Sequence, residues 1–315
     1  MAGDKKRLFT GLQPSGKLHI GNYFGALKPF LDTYEGYESM LMVADYHSLT
    51  SLKDPAVLRE NIFDVVRSYL AAGIDPNKTI IFKQSDVQEH TELAWIFESL
   101  VTVPFLERAH AYKDKVAKGL EANAGLFNYP MLMAADILLY DSDVVPVGSD
   151  QKQHVEYARE AANKFNNTYS ETFKEPKEVI LETVGTVPGV DGQKMSKSYK
   201  NTIPLFGGKD EISKAVMSIV TDSSGERPEN VYAIHKLFKR EEELAPLYEA
   251  NKGSYKALKD ALIEDIEATI APMRSRYAAI GEDEIKLVLK NGAEKARTLA
   301  AAKMKEVKEK IGVTL

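Results

Sequence analysis

The stretch VDGQKMSKSYKNT, residues 190–202, sets three lysines and two serines close behind Gly192. Lysine carries a compact positive charge on a flexible stem, which suits a dense anion such as the phosphates of a nucleotide. Gly189 and Gly192 give the stretch freedom to close over such a group. The plainer alternative is a solvated basic turn, the ordinary fate of a charge run. A second stretch, FTGLQPSGKLHIGNYFGA, places Gly11, Gly16 and Gly21 within eleven residues, with Pro14 fixing a turn and Asn22 opening a helix. Glycines let a backbone approach a ligand closely, and a helix start offers unpaired N–H groups to an anion. No GKS or GKT follows these glycines and G-x-G-x-x-G is not met, so this is neither a Walker A loop nor a dinucleotide fingerprint. Glycine spacing alone also fits an ordinary strand–turn–helix link; His19, two residues before Gly21, shifts the balance toward a site. The third feature is Asp136 in NYPMLMAADILLY, where Met133, Asp136 and Ile137 share one helical face. A carboxylate set between Met and Ile is costly unless it has a partner, either local to the helix or brought by a ligand.

The elements that must position these residues read as strand then helix, repeatedly. RLFTG, MLMVADYH, KTIIFKQS and DVVPVG are apolar strand patterns, and amphipathic helices separate them. Asp54 and Pro55 form an N-cap and first helical position, and Gly73 a stop, for one such helix. This alternation predicts an α/β fold, a Rossmann-like parallel sheet covered on both faces. Ligands in such sheets sit beyond the carboxyl ends of the strands. That rule gathers TGLQPSG, ADYHS, KQSDVQ and PVGSDQ around one crevice. After PLFGGKD the strand patterns cease and only helical ones remain. The expected organisation is a Rossmann-like domain over residues 1–203 and a helical domain over 204–292, with the last helix, 293–315, packing back on the first domain.

Bulk properties narrow the classes. The 315 residues contain no cysteine, which excludes disulfides, thiolate zinc sites and a cysteine nucleophile. The six histidines never pair at i,i+4, so no protein-built metal site is expected. A net charge of −5 argues against indiscriminate nucleic-acid binding but leaves room for a local basic patch. No apolar run approaches the roughly 20 residues that span a bilayer, and the start shows no signal-peptide pattern, so a cytoplasmic protein without membrane contact is expected.

HIGN at 19–22 and KMSKS at 194–198 resemble the two signatures of the class I aminoacyl-tRNA synthetases. Asn22 stands where the usual first motif ends in histidine, a departure shared by the tryptophanyl branch. GLQPSGKLHIGNYFGAL, YPMLMAADILLYDSDVVPVGSDQKQH and KMSKS together are similar to the bacterial tryptophanyl members of that family, and the likeness covers essentially the whole chain. The resemblance implies ATP-dependent activation of L-tryptophan to an adenylate, with release of pyrophosphate and Mg²⁺ on the nucleotide. Transfer to the terminal adenosine of tRNA(Trp) follows, and the protein works as a homodimer. Catalytic roles fall to Lys194, Lys197, Asn22 and Lys115, the last also readable as a solvated helix lysine.

By the same likeness, Gln13, Pro14, Ser15, His19, Gly21 and Asn22 line the ATP site from one side and Gly148, Ser149 and Asp150 from the other. Val187, Lys194, Met195, Ser196, Lys197 and Ser198 close it. Asp136 is implied as acceptor for the indole N–H, with Phe9, Tyr129, Met133, Ile137, Val145 and Val147 around the ring and Gln151 at the substrate ammonium or the nucleotide. Indole offers a single donor, so a buried acceptor would reject phenylalanine by ~10⁴-fold. Tyrosine can also donate, so the choice of tryptophan rests on the resemblance, and a tyrosyl enzyme and an inactive synthetase-like binding protein stay open. A carboxylate nucleophile is already ionised, so this chemistry needs positioning and phosphate neutralisation rather than a general base. HKLFKR (235–240) and MRSRY (273–277) interleave basic and aromatic residues as anticodon recognition would require; amphipathic packing is the alternative.

Overall fold

A computed structural model describes residues 5–119, 121–147, 152–180, 187–221 and 227–314. Five parallel strands form one sheet: β1 (Arg7–Leu12), β2 (Glu38–Val43), β3 (Thr79–Lys83), β4 (Val144–Val147) and β5 (Lys177–Ile180). Their order is β3-β2-β1-β4-β5, so the chain winds outward from β1 in both directions. The switch point between β1 and β4 opens a crevice at their carboxyl ends, where doubly wound sheets take ligands. β1 pairs with β2 from Arg7↔Glu38 to Leu12↔Val43, so the residues that leave both strands emerge side by side. β5 is an edge strand beyond the four apolar patterns. Its sequence, KEVI, is too short and too charged to stand out.

Local signals set the helices. In the Pro55–Ala72 helix, Asp54 Oδ1 accepts from Ala56 N at 2.8 Å and Val57 N at 3.2 Å, and Gly73 closes it at φ 107°. The helix opening at HIGN is less regular: Ile20–Asn22 is α, Tyr23–Leu27 winds as a π segment, and Lys28–Thr33 returns to α. Such π turns shift the register of every later side chain and are common at functional sites.

Two apolar clusters cover the sheet. One joins β1 and β2 to the Pro55–Ala72 helix and continues through Ile203, Leu205, Ile212, Ile234 and Ile270 into the helical part of the chain. The other packs Phe9, Met40 and Phe82 against the helices Glu89–Glu98, Ala124–Leu138 and Lys152–Thr168. The last helix, Glu282–Ile311, lies along β3 so closely that a Cβ on Gly292 would sit 1.8 Å from the Ile81 carbonyl oxygen. Among the described residues no helix is long and apolar enough to cross a membrane.

The backbone of β3 cannot yield to a methyl group at Gly292. Gly292→Ala is expected to destabilise the fold by about 3 kcal/mol, read as a lower urea midpoint, and an unchanged midpoint would contradict this packing.

Candidate active site

The nucleotide side begins where β1 ends. Ser15 N donates to Gln13 O at 2.8 Å around buried Pro14, with Gln13 and Ser15 exposed, and Gly16 follows at φ 103°, a conformation that favours glycine. Leu205 N donates to Leu18 O and Ile20 N to Ile203 O, both at 3.0 Å, so the HIGN segment is stitched to the chain leaving KMSKS. Asn22 Oδ1 accepts from His19 N at 3.0 Å and fixes the helix start. His19 is buried and its Nδ1 has no partner among the described residues. Burial, and then the charge of Lys197, hold its pKa down to about 4. A Cβ on Gly21 would meet His19 Nδ1 at 2.9 Å and Met195 Cβ at 3.3 Å, so this glycine lets the two signatures touch.

KMSKS is docked against that turn. Lys197 Nζ donates to Gly16 O at 2.8 Å and Ser15 O at 3.2 Å, and burial lowers its pKa against the opposing charge of Asp64. Met195 is buried and its N donates to Val187 O at 2.9 Å. Ser196 accepts from Ser198 N at 3.3 Å and caps the short Lys197–Tyr199 turn. Lys194 and Ser198 are exposed. Asn201, not singled out by sequence, is the hub: its Oδ1 accepts from Ser196 N at 2.8 Å, while its Nδ2 donates to Asp191 Oδ1 at 2.7 Å and Lys194 O at 3.1 Å. It is buried, and Gly189 leaves it the space, since a Cβ there would sit 2.3 Å from Asn201 Nδ2. Lys115 lies half-buried on the His110–Ala117 helix. Gly148, Ser149, Asp150 and Gln151 lie outside the described residues, as does the side chain of Val147.

The amino-acid side centres on Asp136, 2% exposed. His47 Nε2 lies 2.8 Å from its Oδ2, and Gln84 Nε2 donates to Oδ1 at 2.8 Å and to Oδ2 at 3.0 Å. His90 Nδ1 stands 2.6 Å from Oδ1. Burial raises the Asp136 pKa, but hydrogen bonds and charge from His47 and His90 outweigh it and lower it to about 2. Phe9, Ile137 and Val145 are buried, while Tyr129 and Met133 are half-buried and pack on the same apolar cluster. Tyr129 meets the His47 ring edge-on at 6.4 Å. His47 and Gln84 come from ADYHS and KQSDVQ, stretches that the strand-end rule had put at the crevice. His90 and Tyr140 carried no sequence signal, because only the tertiary fold brings them here.

In the basic and aromatic stretches of the helical part, the aromatic rings and His235 turn inward, while Lys236, Arg240 and Arg276 are exposed. His235 is fully buried with Nε2 2.8 Å from Asp265 Oδ2, and Phe238 packs edge-on against Phe24 at 4.9 Å. Arg274 pairs with Glu267 at 2.6 Å, Arg276 donates to Ala71 O at 2.7 Å, and Tyr277 stacks on Phe206 at 4.4 Å. Packing accounts for His235, Phe238 and Tyr277, while Lys236, Arg240 and Arg276 remain exposed.

The sequence matches the family described as tRNA synthetases class I (W and Y) over residues 1–303. It is 49% identical to a tryptophan–tRNA ligase of Fusobacterium nucleatum over 98% of each chain. It is 46% identical to one of Campylobacter jejuni over 98% of this chain and 100% of the relative. A solved tryptophanyl-tRNA synthetase of Campylobacter jejuni, complexed with ADP and tryptophan, has a TM-score of 0.90 at 45% identity, covering 97% of this chain and 99% of that one. A tyrosyl-tRNA synthetase of Archaeoglobus fulgidus, 20% identical with a TM-score of 0.64, shares the fold.

His19 supplies a pH test of this geometry. Its pKa falls from 6.5 to about 4 in the folded state, so the unfolded chain binds the extra proton first as the pH drops. Stability is therefore expected to fall between pH 6.5 and 4, by at most about 3 kcal/mol from this group. Urea unfolding at several pH values should show a shallower loss in His19→Gln; identical slopes would contradict the buried neutral ring.

Proposed function

The chain belongs to the class I tRNA synthetase family that serves tryptophan and tyrosine, and we propose that it joins L-tryptophan to tRNA(Trp) through a tryptophanyl-adenylate. The observation that carries this reading is near-full-length identity of 41–49% to proteins named tryptophan–tRNA ligase. The tyrosyl alternative rests on solved neighbours at 20% identity, which speak for the fold alone.

The tryptophan carboxylate attacks the α-phosphorus of ATP, a bond forms from carboxylate oxygen to phosphorus, and pyrophosphate leaves with the bonding pair. The nucleophile is ionised at neutral pH, so the protein's task is alignment and charge compensation. Gln13, Pro14, Ser15, His19, Gly21 and Asn22 form the shelf under the nucleotide. Lys194 and Lys197 face the phosphates from the opposite loop, with Met195, Ser196 and Ser198 shaping it, and Lys115 approaches on its helix. Phosphate oxygens would replace the carbonyls of Ser15 and Gly16 as acceptors for Lys197, a stronger charge-assisted contact. Val187, whose carbonyl holds Met195 N, offers its backbone to the adenine. Gly148, Ser149, Asp150 and Gln151 belong to the same reading, at ribose and substrate ammonium. Mg²⁺ enters as part of the ATP substrate: among the described residues no three His, Asp or Glu side chains cluster as a metal cage.

Asp136 accepts the indole N–H, and Phe9, Tyr129, Met133, Ile137, Val145 and Val147 enclose the ring. In the second step a ribose hydroxyl at the tRNA 3′ end takes the aminoacyl group and AMP leaves. The helical region from residue 204 to 292 handles the distant part of the tRNA, and the protein acts in the cytoplasm as a homodimer. The apolar surface a second copy would cover is the patch around Trp95, 70% exposed, with Tyr169 and Val313.

ATP–pyrophosphate exchange across the twenty amino acids is expected to respond to tryptophan alone; equal exchange with tyrosine would overturn the assignment. Lys194→Ala should slow exchange about 10²-fold while tryptophan affinity changes less than threefold, and unaltered exchange would remove the lysine clamp. Sedimentation should give a mass near twice the 35.0 kDa chain; a monomer at working concentration would exclude the dimer.

A further inference from the structure

Behind the acceptor carboxylate lie two buried groups that touch neither substrate nor nucleotide in this reading. Tyr140 is 1% exposed and His90 fully buried. The Tyr140 hydroxyl stands 2.8 Å from His90 Nε2, and His90 Nδ1 stands 2.6 Å from Asp136 Oδ1. Burial, followed by the negative charge of Asp136, pushes the Tyr140 pKa up, so this hydroxyl keeps its proton. It then either donates to Nε2, which leaves the ring proton on Nδ1, or accepts from Nε2 of a doubly protonated ring. The remaining tautomer would aim a nitrogen lone pair at a carboxylate oxygen 2.6 Å away, which is repulsive. Both permitted states therefore put an N–H against Oδ1.

Gln84 is oriented in the same manner. Its Oε1 accepts from His47 N at 3.3 Å, so its amide nitrogen is the atom that faces Asp136. His90 thus faces Oδ1 from inside the core, Gln84 bridges both oxygens, and Oδ2 also faces His47, whose ring meets Tyr129. We propose that Tyr140 and His90 are positioning residues for amino-acid selection. Acting through Asp136, they fix a single ionised acceptor for a ring N–H and set the preference for indole over a ring of equal size that lacks that donor. The proposal rests on Asp136 accepting the indole N–H.

The test compares kcat/KM in ATP–pyrophosphate exchange for L-tryptophan and for β-(3-benzothienyl)-L-alanine, in which sulfur replaces the ring N–H. The unmodified protein should prefer tryptophan by at least about 10²-fold; a ratio near one would overturn the Asp136 reading and the proposal with it. Tyr140→Phe keeps the ring contacts to Phe9 and Phe82, both at 5.6 Å, and removes only the hydroxyl. It should lower the tryptophan preference about tenfold and leave the KM for ATP within twofold. An unchanged preference, or an equal loss with both amino acids, would overturn the positioning role and leave the Asp136 reading standing. His90→Gln should lower the same ratio, and adding Tyr140→Phe to it should lower it less than twofold further, since the hydroxyl acts through the imidazole. A fully additive loss would overturn that connection, and His90→Gln alone decides the outcome should Tyr140→Phe not accumulate as folded protein.

Discussion

An ionised carboxylate inside a protein loses several kcal/mol of hydration unless donors replace the water. Asp136 draws those donors from three separate segments: His47 after β2, Gln84 after β3 and His90 in the Glu89–Glu98 helix. None is near it in sequence, so the carboxylate is satisfied only once β2, β3 and both flanking helices are in place. A further carboxylate holds the frame: Asp45 accepts from Ser85 N at 3.0 Å and from the Ser85 hydroxyl, tying the segment that leaves β2 to the one that leaves β3. This cross-link keeps His47 and Gln84 in register. The parallel β2–β3 pairing, Val43 beside Lys83 at its end, brings those two exits together.

The phosphate side is built on an opposite logic. Lys197 is satisfied by two backbone carbonyls, neutral dipoles that the phosphates of the proposed substrate would outcompete. His19 stays neutral beside it, so the shelf adds no second fixed cation and a buried ring nitrogen remains available. Asn201 holds the loop backbone through bonds that do not involve either lysine ammonium, so the side chains can exchange partners while the loop keeps its shape. Amino-acid choice requires an acceptor that does not move, whereas phosphoryl chemistry requires charges that arrive with the nucleotide. The two halves of the crevice meet these demands with different degrees of internal satisfaction.

Much of this was legible before any coordinates. Asp54, Pro55 and Gly73 announced a helix because capping chemistry is local, and Asp136 stood out because a carboxylate on an apolar face is an anomaly that asks for a partner. The partners themselves depend on which strand ends neighbour each other, so sequence placed His47 and Gln84 only as members of crevice stretches and was silent on His90 and Tyr140. The π segment at Tyr23–Leu27 had no sequence sign, and it directly follows the segment stitched to Ile203–Leu205. The stretches HKLFKR and MRSRY pointed equally to RNA and to packing, because alternating charge and aromaticity serve both. Arg276 bonds Ala71 O and Tyr277 stacks on Phe206, contacts that the sequence pattern could not distinguish from an RNA-facing arrangement.

The same stitching bounds what the KMSKS loop can do. Upstream, Met195 N is held by Val187 O and the Met195 side chain is buried against Gly21. Downstream, Ile203 and Leu205 are hydrogen-bonded to the HIGN segment and sunk in the core that runs into the helical part. Between these anchors the turn that carries Lys197 is held by Ser196 N on Asn201 and by the lysine's own bonds to the Ser15 and Gly16 carbonyls, while Lys194 stands just before the first anchor. A hinge between the sheet and the helical part would have to break Tyr277 from Asp64 and Phe206, and open a continuous apolar cluster, to carry the loop with it. Rearrangement of the turn and its lysine side chains disturbs far fewer contacts. In the proposed reaction the loop lysines would therefore meet the triphosphate by such a local rearrangement, over a shelf to which the loop is fastened on both sides.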